Sequence, residues 1–147
     1  MTDAHKSPCV ARQLMEGMKA TCSQAILSTF GPYMNTELDT ETCMKIASAF
    51  SGGINNTGNV CGAITGALMA IGLEFSNGTP MDPKVAEVST KFLWEFKAMH
   101  GSILCRDLLQ IDASEEMGLQ AAFESGAFNK CMQIAQDVAE LMKSYLE

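Results

Sequence analysis

Six cysteines, Cys9, Cys22, Cys43, Cys61, Cys105 and Cys131, hold most of the chemistry open to this chain. Cys61 has the most developed surroundings. It follows Gly58 and Asn59 and stands at the beginning of the apolar stretch VCGAITGALMAIGLEF, residues 60–75. Asn59 is a good N-cap, so the expected helix puts this thiol in its first turn, beside backbone N–H groups that lack intrahelical partners. Such a position favours the thiolate and suits thiol redox chemistry or metal ligation. Cys105 falls in the first turn of a short helix that Ser102 could cap, and Cys131 lies near the start of the last helix. Cys22 lies on the buried stripe of the first. Cys9 lies on a different face near a fraying end and reads as incidental. Cys43 reads as a small core hydrophobe, the usual behaviour of a buried free cysteine. No CxxC pair occurs, so neither a thioredoxin-type motif nor a zinc-ribbon spacing is present. The gaps between Cys22, Cys61, Cys105 and Cys131 are long. Whether they meet depends on the fold, and scattered buried thiols are the alternative.

Other chemistries have little material. The two histidines are His5, near the N-terminus, and His100, at an expected helix end. His100 is close in sequence to Cys105, but capping a helix C-terminus is the simpler role. A Ser-His-Asp arrangement is poorly supplied. There is no GxGxxG after a strand and no phosphate loop ending in GK[ST]. The carboxylates Glu115-Glu116 and Glu37/Asp39 lie in polar segments and read as solvated surface. The 11 methionines follow core stripes, which packing explains.

The elements that must position these thiols read as helical. Residues 60–75 have no polar face and must be enclosed by other helices; the run is shorter than the ~20 residues that span a bilayer. Gly62, Gly66 and Ala70 form a strip where another backbone could come close. Before it, Ser7-Pro8 opens a helix whose stripe runs through Val10, Leu14, Met18, Cys22, Ala25 and Ile26 and ends at Gly31-Pro32. Asp39 caps a shorter helix with Cys43, Ile46, Ala47 and Phe50 on one side. The segment SGGINNTGN, 51–59, is a loop whose Gly52, Gly53 and Gly58 allow positive φ. Asp82-Pro83 starts a helix with Val85, Val88, Phe92, Phe96 and Met99 on one face and Trp94 to the side. Met117, Leu119 and Phe123 mark a further segment. The last helix, from about Phe128, carries Cys131, Met132, Ala135, Val138, Met142 and Tyr145. No period-two alternation or internal repeat is evident. The expectation is an all-α, single-domain bundle, residues 1–147, with five to six helices around 60–75.

With 147 residues, 47% hydrophobic and 18% charged, the chain is globular in composition. Its net charge of −7 leaves no basic patch for nucleic acid and disfavours an anionic membrane surface. The N-terminus lacks the apolar core of a secretory signal and neither end carries a lipidation motif, so a cytoplasmic protein without membrane insertion is expected. In that compartment six cysteines are free, metal-bound or catalytic rather than a disulfide framework. Self-association is left open, and the redox partner is not legible.

Cys22, then Cys61-Gly62-Ala63-x-x-Gly66, then Cys105 and Cys131 resembles the C_GCAxxG_C_C family of redox-active proteins, small proteins defined by four cysteines and a CGAxxG motif. The likeness covers about residues 20 to 140, including GALMAIGL after the motif and CRDLL around Cys105. Cys9 and Cys43 lie outside the pattern. The resemblance implies a redox role for the four cysteines and a domain able to hold an iron–sulfur centre. Without CxxCH, attached c-type haem is not expected. Four thiolates suit an iron–sulfur cluster or zinc, with electron transfer as the leading role. Two alternatives stand beside it: a thiol–disulfide enzyme or sensor, and a helical interaction module whose cysteines merely pack.

Overall fold

The structure, a computed structural model, describes residues 8–35, 37–112 and 114–146. Among the described residues eight helices run in the order α1 (Cys9–Glu16), α2 (Cys22–Met34), α3 (Thr40–Ile46), α4 (Gly62–Phe75), α5 (Pro83–His100), α6 (Cys105–Leu109), α7 (Glu116–Ser125) and α8 (Asn129–Leu146). Among the described residues there is no strand, only an isolated antiparallel bridge between Val60 and Leu104. The all-α class holds, with more helices than the expected five or six.

The first long helix is two. Gly17 ends α1 after Glu16, with its N–H returned to Gln13 O at 3.0 Å. The chain restarts at Thr21, whose N–H donates to Gln24 Oε1 at 3.1 Å, the N-cap to N3 half of a capping box. Cys22 is therefore the first residue of a helix rather than a mid-helix position. The helix also passes through Gly31-Pro32 and ends at Met34. Proline so near the end removes only one ladder bond. Gly31 is required by packing: a Cβ there would lie 2.7 Å from Cys43 Sγ. Ser7 and His5 lie outside the described residues.

α4 is the enclosed element. Its Ala63, Ile64, Ala67, Ala70 and Ile71 are fully buried. α2 packs against it more extensively than any other helix pair in the fold. The small-residue strip makes this approach possible. A Cβ on Gly66 would lie 2.8 Å from Ser23 O and 3.2 Å from Ile26 Cβ. Ser23, fully buried beside it, donates from Oγ to Ala47 O at 2.9 Å and fastens α2 to the end of α3. The main core gathers Phe30, Phe92, Phe96, Val138 and Met142 around this pair. A smaller cluster holds Cys105, Leu109, Ala122 and Ala127.

Asp39 caps α3 by accepting from Thr42 N at 2.6 Å, and Asp82 caps α5 by accepting from Lys84 N at 2.9 Å. Gly101 closes α5 in the left-handed region. Several expected core residues are exposed instead: Met99 at 50%, Met117 at 84% and Phe123 at 69%. Trp94 is exposed as well. No helix among the described residues is long and apolar enough to cross a membrane.

Candidate functional site

Cys22, Cys61, Cys105 and Cys131 come from four separate stretches of chain, and all four line one cavity of about 560 Å³. Each is carried there by the start of a helix. Cys22 opens α2 and Cys105 opens α6; Cys61 is the residue before α4, and Cys131 is the third residue of α8. Asn59, expected to cap the central helix, sits two residues too early. Cys61 itself occupies the N-cap, with φ −52° and ψ 135°.

The bridge between Val60 and Leu104 sets two of the thiols in register. Cys61 N–H donates to Ile103 O at 2.9 Å, and Cys105 N–H donates to Asn59 O at 2.7 Å. These bonds flank the bridge, so Cys61 and Cys105 leave it in opposite chain directions into their helices. Cys22 reaches the same place along the α2–α4 contact. Its Sγ lies 2.5 Å from where a Cβ on Gly62 would stand, so only glycine after Cys61 leaves room for it.

The glycine-rich loop closes another part of the wall through Ser51, Gly52 and Asn56. Five consecutive residues, Gly52 to Asn56, have φ between +49° and +75°. This is a left-handed turn, and at Ile54 it is uphill, since a β-branched residue there is an outlier. Gly53 has a second constraint: its Cβ would meet Asn59 N and O at 2.5 Å and Cys105 Cβ at 2.8 Å.

Burial governs the ionisation of all four thiols. It pushes Cys61 far above the ordinary thiol value, with the neighbouring Cys22 adding to the rise. Burial, then the charge of Cys22, raises Cys105 to about 11. Burial, then Cys22 and Cys105, raises Cys131 to about 12. Cys22 is raised by burial too, but backbone N–H groups of Gly52, Ser23 and Ala63 act against it. The N–H groups at the helix starts thus do not produce low-pKa thiols in the free protein, because desolvation outweighs them. Cys22, not Cys61, has the fullest backbone support for a thiolate. It also neighbours each of the other three closely enough to raise them.

Among the described residues, no three His, Cys, Asp or Glu side chains gather tightly enough to hold a single metal ion. Cys9 is exposed and outside the cavity. Cys43 is fully buried between α2 and α3, away from the cavity lining. His100 faces elsewhere: its ring packs on Phe96 at 4.7 Å, and Nε2 lies 3.1 Å from Asp137 Oδ2 without hydrogen-bond geometry. It does not line the cavity. Sequence reasoning missed the remainder of the wall, including Met15, Met18, Lys19, Phe128 and Met132. Gly17 and the Thr21-x-x-Gln24 pattern could have revealed the helix break that brings the first three to it.

The described residues thus define a helical four-cysteine class, in which helix starts direct four thiols into one cavity. The chain belongs to the family described as "Putative redox-active protein (C_GCAxxG_C_C)", whose model matches residues 20–145. No curated protein and no solved structure matches it.

Proposed function

We propose that the protein is an electron-transfer protein whose Cys22, Cys61, Cys105 and Cys131 together hold an iron–sulfur cluster. The observation that carries this reading is the shared cavity: four soft donors face one space, with no carboxylate or imidazole in its lining. Thiolates select iron–sulfur clusters or zinc and exclude magnesium and calcium. One zinc ion would need sulfurs about 2.3 Å from a common centre, and no three candidate ligands among the described residues gather in that way. When bound, the cluster would supply a one-electron centre.

The chain's own contribution is position and proton inventory. Burial keeps the free thiols protonated near neutral pH, so loading the site releases protons and grows more favourable as pH rises. The N–H groups of Gly52, Ser23 and Ala63 then stand ready to stabilise sulfur charge at Cys22. Such backbone donors are a principal means by which a protein adjusts a cluster's potential. Gly62 keeps the space that Cys22 Sγ needs.

A second reading has its own observation. Cys22 lies close enough to Cys61 to raise it, which suits a reversible disulfide in which the two thiols pass two electrons and two protons to a two-electron acceptor such as the disulfide of a partner, which is reduced to its dithiol. Iron and acid-labile sulfide analysis of anaerobically purified protein, with its absorption spectrum, separates the two. Stoichiometric iron and sulfide with a visible charge-transfer band support the cluster. Metal-free protein that cannot be reconstituted, but takes up two electrons per chain after oxidation, overturns it in favour of the dithiol.

A further inference from the structure

Four sulfurs do not account for the cavity they share. At about 560 Å³ it lies in the range of pockets that enclose small organic molecules, roughly 300–1,000 Å³. Much of its lining is apolar and has no place in holding a metal: Met15, Met18, Leu119, Phe123, Phe128 and Met132. Phe123 and Phe128 pair as tilted rings, with centroids 4.8 Å apart. Phe123 nevertheless leaves 69% of its surface in solvent.

Met18 adds an independent sign. It takes φ +55° just after the end of α1, where glycine would be easier, and leaves 93% of its side chain exposed. Neither the backbone nor the hydrophobic effect favours methionine at that position. A large, flexible apolar side chain there makes sense where it can fold onto something in the cavity.

The charge of the lining is equally selective. Acidic residues outnumber basic ones 17 to 10 in the chain, yet the cavity is lined by Lys19 and by no Asp or Glu. Lys19 makes no ion pair among the described residues. We infer that the cavity binds a small organic anion with an apolar body, its charged head at Lys19 and its body among Met15, Met18, Phe123, Phe128 and Met132.

The test uses the full chain, reduced and anaerobic, with 1-anilinonaphthalene-8-sulfonate as the fluorescent probe. One saturable site is expected, emptied by octanoate and not by octylammonium at the same concentration. Lys19→Glu should weaken the probe about tenfold, the equivalent of ~1.4 kcal/mol, while leaving the melting temperature unchanged because Lys19 is exposed. Phe123→Asp, also at an exposed position, should weaken it as well. Non-saturating fluorescence, equal displacement by both amphiphiles, or unchanged affinity in Lys19→Glu would each overturn the inference. None of these readouts depends on a cluster or on thiol oxidation, so the outcome is separable from the redox reading.

Discussion

Cys22 Sγ stands 2.5 Å from the point a Cβ would occupy on Gly62, so the second residue of the CGAxxG motif is glycine because the first cysteine of the set fills its side-chain space. Two cysteines distant in sequence are thereby coupled through one absent methyl group. Gly62→Ala should displace the Cys22 thiol and cost about 1–3 kcal/mol through overpacking. In denaturant titrations the variant should unfold earlier, and its Cys22 should be alkylated faster under native conditions. An alanine variant with parental stability and an equally protected Cys22 would remove this coupling.

Gly66 acts one turn later and for a different reason. Its missing Cβ would meet the Ser23 carbonyl oxygen at 2.8 Å, a backbone atom that cannot swing away. Gly66→Leu should therefore lower stability by ~1–3 kcal/mol or more and separate α2 from α4. Because α2 carries Cys22, the redox signal should weaken together with stability. Equilibrium unfolding of Gly66→Leu checks the first part, and an unchanged midpoint would mean that the helices tolerate a wider spacing.

Much of the frame was legible because it rests on local chemistry. Asp39 and Asp82-Pro83 mark their helix starts, and the run 60–75, with no polar face and Glu74 as its single charge, reads as an enclosed helix. The break at Gly17 was obscured by an apolar stripe that continues in register across it, from Leu14 through Met18 to Cys22. Pro32 is a poor marker of the helix end, because the single bond it removes matters little in the last turn. Met99, Met117 and Phe123 show the limit of periodicity, which identifies a face without saying what covers it. At the site, the thiols' helix-start placement was visible for Cys61, Cys105 and Cys131. The bridge between Val60 and Leu104 was not, because a single pairing leaves no alternating pattern. The rise in thiol pKa was also hidden, as burial is a property of the assembled fold.

That burial has a consequence for pH. A thiol raised to about 11 at Cys105 and about 12 at Cys131 holds its proton more tightly folded than unfolded. Between the ordinary thiol value near 8.5 and these folded values, the folded state binds more protons, so its stability falls as pH rises. The metal-free, reduced protein should lose stability progressively from about pH 9 to pH 12. A Cys105→Ser, Cys131→Ser double variant should show a shallower decline than the parent in parallel melting curves. Identical slopes would mean that these two thiols do not differ between the folded and unfolded chain.

Cys43 and Cys9 supply the contrast for the site. Cys43 is fully buried against Gly31, so Cys43→Ser should lower the melting temperature by leaving a buried hydroxyl unsatisfied, at about 1–3 kcal/mol. Cys9 is exposed, and Cys9→Ser should be silent. Neither substitution should change iron or sulfide content per folded chain. A loss of iron in Cys43→Ser at temperatures where it remains folded would place that thiol among the ligands.

The most direct measurement of the central claim is an anaerobic redox titration of the parent and of single serine variants at all six cysteines, monitored by the visible spectrum and electron paramagnetic resonance. One reversible one-electron centre is expected in the parent, in Cys9→Ser and in Cys43→Ser. Loss or a large potential shift is expected in each of Cys22→Ser, Cys61→Ser, Cys105→Ser and Cys131→Ser. A parental signal retained in any of those four, from protein that is folded and loaded, would contradict a centre shared by all of them.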